Sequence, residues 1–129
     1  MARDGPLVEQ KLTERVIGCA IEVHRVLGPG LLESAYESCL CHEFERAEIR
    51  FERQVELPIQ YKAHVVESAF RIDLLVEGTV VVELKAIDKL LPIHEAQLLT
   101  YLRLSEKRVG LLLNFNVTKL MDGLVRRVR

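Results

Sequence analysis

The apolar positions change their period along the chain. Up to Leu27 they recur every three or four residues, at Leu12, Val16, Cys19, Ala20, Val23 and Leu27. That spacing lays them on one face of a helix running from Leu7 to Leu27. Pro6 suits its first turn, where a missing N–H costs nothing, and Gly28-Pro29-Gly30 ends it. A second helix is expected from Leu31 to Ala47, with Leu32, Ala35, Tyr36, Cys39, Leu40 and Phe44 as its buried stripe. Gly30 is placed at its N-cap, where it lets the chain turn sharply and frees the first N–H groups. From Ile49 to Ala86 the period falls to two. Val55, Leu57 and Ile59 alternate with polar residues, although Pro58 has no N–H for a ladder. Residues 60 to 64 read as a turn or strand edge. Ala69 to Val76 and Thr79 to Ala86 read as two strands joined at Glu77-Gly78. Pro92 opens a third helix, Ile93 to Ser105, carrying Ala96, Leu98, Leu99 and Leu102. VGLLLNF, 109 to 115, is a fully apolar strand, and Leu120 to Val128 a last strand or edge segment. The expected order, α-α-β-β-β-β-α-β-β, describes an α/β layered domain with a mixed sheet.

One stretch breaks the apolar pattern. In VVELKAID, residues 80 to 87, Glu83 and Lys85 interrupt a strand that otherwise wants burial. Strand side chains alternate between faces. Ile72, Leu74 and Val76 then share one face of the preceding strand and Asp73 takes the other. Val80, Val82, Leu84 and Ala86 share a face, with Glu83 and Lys85 turned away. Burying both apolar sets together requires an odd loop, and three residues containing Gly78 suffice. The same register brings Asp73, Glu83 and Lys85 onto a common face, and a slip by one residue would expose an apolar set. Two close carboxylates raise each other's pKa unless a cation lies between them. Mg²⁺ or Mn²⁺ suits oxygen-only ligands. A lysine beside a metal-bound phosphate can orient a water or neutralise developing charge. The hairpin alone is equally compatible with a ladder of opposite surface charges, weakly stabilising.

Bulk properties narrow the classes. A chain of 129 residues suits one domain, 1–129, and 49% apolar with 29% charged residues is an ordinary soluble mixture. No apolar run approaches the ~20 residues of a membrane span, and the first residues lack the apolar stretch of a signal peptide. A cytoplasmic protein without a membrane partner is expected. Three cysteines without a framework of spacings do not suggest a disulfide scaffold. Cys39 and Cys41 would point about 200° apart on a helix, which spoils joint metal ligation with His42. The net charge of −1 gives no general attraction to nucleic acid. Arg103, Lys107, Arg108, Arg126, Arg127 and Arg129 could form a local basic patch or be solvated surface charges.

Asp73 followed by Glu83-Leu84-Lys85 resembles the D…(D/E)-x-K core of the PD-(D/E)xK nuclease superfamily. QLLTY, Gln97 to Tyr101, resembles the Q-x-x-x-Y motif of its RecB-like members. GLLESAY, Gly30 to Tyr36, resembles the signature of the GxxExxY protein family, a branch of small proteins within that superfamily. The resemblance implies a restriction-endonuclease-like core, a mixed β-sheet flanked by helices. It implies that Asp73, Glu83 and the Leu84 backbone carbonyl hold Mg²⁺ or Mn²⁺. Lys85 would be the catalytic base or charge stabiliser. Glu33 would face the same metal or its waters, and Gln97 and Tyr101 would line the site beside Lys85 or a phosphate. Local geometry agrees in part: Glu33 and Tyr36 share a helix face, as do His94, Gln97 and Tyr101. His94 is a further candidate for touching the metal or a phosphate. Ile72 stands where the strict pattern has proline. The expected activity is metal-dependent hydrolysis of nucleic acid, DNA ahead of RNA. The alternative is a non-catalytic binding or assembly module that retains the fold. A homodimer with paired clefts is a third arrangement that the sequence leaves open.

Overall fold

The structure, a computed structural model, describes residues 9–129. Pro6 and Leu7, the expected start of the first helix, lie outside the described residues. The helical periodicity folds into α1 (Gln10–Leu27) and α2 (Glu33–Arg46). Three strands follow, β1 (Phe51–Tyr61), β2 (His64–Val76) and β3 (Val80–Lys85). Then come α3 (Pro92–Ser105), β4 (Val109–Asn114), a short 3₁₀ turn (Leu120–Gly123) and β5 (Leu124–Val128). The strands lie side by side in chain order in one sheet. Only β3 and β4 run parallel, because α3 crosses over between them. The mixed sheet flanked by helices is the architecture expected.

Three strands, not four, precede α3. Residues 51–76 make two long antiparallel strands that turn tightly, with Tyr61 paired to His64. Pro58 did not end a strand, because β1 is the sheet border and the pairing register shifts between Leu57 and Ile59. A proline is tolerated at such an edge bulge, where no ladder bond is required of it. Three residues assigned to the helical stripes face out: Leu32 is 77% exposed, Leu99 41% exposed, and Ala96 is exposed as well. Leu32 precedes α2 as its N-cap, so Gly30 lies two residues outside the cap. Its φ of 100° still makes it part of a sharp entry turn.

Each face of the sheet carries its own core. On the first, Val16, Ala20 and Val23 of α1 and Tyr36, Leu40 and Phe44 of α2 pack on Leu74, Val80, Val82, Leu84, Leu111 and Leu113. On the second, Leu98 and Leu102 of α3 pack on Ile72, Leu75, Val81 and Leu112. α3 reaches the sheet over a glycine. A Cβ on Gly110 would stand 2.7 Å from Leu98 Cδ1 and 3.2 Å from Leu102 Cδ2. Gly110→Ala is therefore expected to cost about 1–3 kcal/mol by overpacking. Denaturant unfolding of the variant checks this, and unchanged stability would mean that α3 lifts freely.

Ile72 departs from the expected alternation. It joins the second core, whereas Leu74 and Val76 belong to the first. β2 therefore reverses its facing at Asp73. The paired strand does the same. Phe51 packs with the first core and Val55 with the second. Between them Gln54 has a φ of 51°, the left-handed region. For a residue other than glycine this costs of order 1–3 kcal/mol.

Candidate active site

β2 and β3 are joined by the three-residue loop Glu77-Gly78-Thr79, with Leu74 opposite Val82 and Val76 opposite Val80. One step further the two carboxylates enter the ladder. The Asp73 backbone N–H donates to Glu83 Oε2 at 2.9 Å, and the Leu84 N–H donates to Asp73 Oδ2 at 2.9 Å. This reciprocal exchange fixes one oxygen of each carboxylate with a charge-assisted bond. The second oxygen of each can serve a further partner.

The pair is poorly solvated. Glu83 is only 4% exposed. Burial first, and the neighbouring Asp73 charge second, push its carboxyl up to about 8, against the Asp73 N–H and the Lys85 ammonium, which both favour ionisation. Asp73 is also raised, by burial foremost, with the Leu84 N–H opposing and Glu37 adding to the rise. Such a pair gains from a cation between its members. The donors are hard oxygens, and Mg²⁺ characteristically takes one or two carboxylates and completes its shell with water and phosphate. Asp73, Glu83 and the Leu84 carbonyl fit that pattern. Among the described residues no group of three or more His, Cys, Asp or Glu side chains forms a self-sufficient metal cage.

The other expected residues differ in their surroundings. Lys85 is half-buried at the end of β3, and its charge acts on both carboxylates. Its carbonyl accepts from the Phe115 N–H at 2.9 Å. Beside it, the buried Asn114 holds the chain after β3, donating to Ile87 O at 2.9 Å and accepting from Ile87 N at 3.1 Å. Tyr101 is half-buried and its ring lies 4.9 Å from that of Phe70. Burial, then the charges of Glu83 and Asp73, raise its hydroxyl pKa. Gln97 is half-buried one turn earlier on α3.

Glu33 is exposed at the start of α2. Its Oε2 accepts from the Ala86 N–H at 3.4 Å, and its charge contributes to raising Glu83. Tyr36 is buried and structural. Its hydroxyl donates to Gly28 O at 2.6 Å and accepts from the Leu31 N–H at 3.1 Å, while the ring stacks on Phe115 at 4.5 Å. Tyr36 thus pins the glycine turn that launches Glu33. His94 is drawn into the start of its own helix, where its Nδ1 accepts from the Leu91 N–H at 2.9 Å and caps α3. That capping bond occupies Nδ1 and leaves Nε2 as the second ring nitrogen.

Two residues at the site were not singled out from the sequence. Glu37 is buried on α2, and Gln54 stands in β1 opposite Asp73. The signal for Glu37 was present in part, since Glu33 and Glu37 are four apart on one helix face. Gln54 had none, because its position depends on the left-handed backbone.

Among the described residues no helix is long and apolar enough to cross a membrane. A comparison with curated proteins finds no match. Among solved structures the chain is similar to the crystal structure of SSO0001, with a TM-score of 0.57 and 23% identity. The likeness covers 94% of this chain and 59% of that one, and at such identity it speaks for the fold alone. The family model of the PD-(D/E)XK nuclease superfamily matches residues 10–128, which takes in every element described above; the chain belongs to that superfamily.

Proposed function

We propose that this protein is a Mg²⁺- or Mn²⁺-dependent nuclease that hydrolyses phosphodiester bonds, with DNA as the preferred substrate. The observation that carries the reading is the pairing of half-buried Asp73 with buried Glu83, each acid fixed by a backbone N–H of the other strand. Asp73, Glu83 and the Leu84 carbonyl would hold the ion. When bound, it supplies Lewis-acid polarisation of a phosphate and a water of lowered pKa. Lys85 sets its ammonium beside the pair, where it neutralises charge developing on phosphate and steadies the attacking water. Tyr101 offers a hydroxyl hydrogen bond from the α3 side, with Gln97 one turn away. Glu33 reaches the rim from α2 and can accept a proton from a water there.

The net charge of −1 supports a second reading, a fold-retaining module that binds without cleaving. The test is incubation of the purified protein with single- and double-stranded DNA and RNA, with Mg²⁺, Mn²⁺ or a chelator. Cleavage with metal, lost with chelator and faster on DNA, is the expected result. Intact nucleic acid of every kind, in protein that still binds Mn²⁺, would favour the module.

A further inference from the structure

Glu37 is 9% exposed and both of its oxygens are engaged. Arg53 Nε donates to Oε2 at 3.0 Å, and Gln54 Nε2 donates to Oε1 at 2.7 Å. These donors are sequence neighbours in β1. Neighbours in a regular strand point to opposite faces, so one acid on one helix could not receive both. Gln54 breaks the alternation with its left-handed backbone. Its position is fixed across the sheet: Arg53 pairs with Leu74 and Val55 with Ile72, which leaves Gln54 facing Asp73. The Gln54 side chain also favours the ionised form of the Asp73 carboxyl, against the effect of burial. A primary amide carries two N–H groups, enough for both acids. Gln54 is exposed, so no packing demand explains the strained conformation. Strain of this kind persists where surrounding contacts over-determine it, and such places cluster at ligand sites.

We propose that Gln54, gripped by Glu37, is a positioning residue that orients the Asp73 carboxylate toward the divalent ion. One N–H of its amide is spent on Glu37 and the other on Asp73, so α2 sets the aim of an acid on β2. The inference rests on the metal-dependent reading of the site.

Gln54→Gly separates positioning from simple bracing. Glycine adopts the left-handed backbone without strain, which offsets part of the lost hydrogen bond to Glu37, so the variant is expected to fold. Its Mn²⁺ affinity, read by calorimetry, is expected to fall about 10–100-fold, the usual effect of removing a partner that orients a ligand. Glu37→Leu is expected to weaken Mn²⁺ binding in the same direction. Glu37→Gln, which keeps an oxygen for the Gln54 amide, is expected to restore most of it. Asp73→Ala, measured alongside, tells two failures apart. Lost binding in Asp73→Ala with wild-type affinity in folded Gln54→Gly overturns the positioning role alone. Wild-type protein that binds no Mn²⁺, or binding that survives Asp73→Ala, overturns both this role and the metal reading.

Discussion

Replacing Lys85 by alanine is expected to lower metal-dependent cleavage by about 10²–10³-fold, the scale of losing one preorganised charge-stabilising group, while Mn²⁺ binding persists. The side chain is half-buried at the end of β3, and the bond that holds this end of the strand is made by its carbonyl to the Phe115 N–H. That bond survives the substitution, as does the Asn114 clamp on Ile87. The carboxylates also keep their backbone donors. Single-turnover cleavage and Mn²⁺ calorimetry on the same preparation read the two effects separately. Cleavage at the wild-type rate would reduce Lys85 to a partner in a charge ladder.

The second large effect is a dependence of stability on pH that a divalent ion reverses. Glu83 has an ordinary carboxyl value of 4.5 in the unfolded chain and is pushed up to about 8 in the folded one, by burial above all. Between those values the folded protein holds a proton that the unfolded chain has released. Stability therefore falls as pH rises. The contribution is complete below the unfolded value and is lost as pH passes through the folded one. Asp73, also raised by burial, acts with the same sign. The metal-free protein is expected to lose on the order of a few kcal/mol from about pH 5 to about pH 8. Mn²⁺ is expected to recover most of that loss, because it binds the ionised folded site and not the unfolded chain. Glu83→Gln removes the titrating group. It is expected to flatten the pH profile, raise the metal-free Tm at the alkaline end and abolish the response to Mn²⁺. Calorimetric melting across the pH range checks all three. A metal-free Tm that stays level throughout would sink the account of the buried pair.

Much of this arrangement was readable from residue order because strand faces alternate. Burying Val80 and Val82 with Leu74 and Val76 demanded an odd loop, and the loop is Glu77-Gly78-Thr79. Asp73 and Glu83 were brought together by that requirement. The reading failed where alternation failed. Ile72 changed sides where the facing strand turns left-handed at Gln54, and no pattern of apolar residues announces that. Glu37 was overlooked for a related reason: its partners, Arg53 and Gln54, lie on a strand remote in sequence. Pro58 was expected to weaken the ladder of β1, and a border strand with a shifted register absorbs it. His94 shares a helix face with Gln97 and Tyr101, and its Nδ1 also caps α3 at Leu91, a role the residue order did not suggest.

Pro58 has a consequence for how copies of this protein meet. β1 forms one margin of the sheet, and its outward row of main-chain donors is interrupted by the proline and the neighbouring irregularity. Two molecules cannot zip together continuously along that margin, the route by which bare sheet borders seed fibrils. Self-association on this side has to be mediated by side chains, which makes it adjustable by single substitutions.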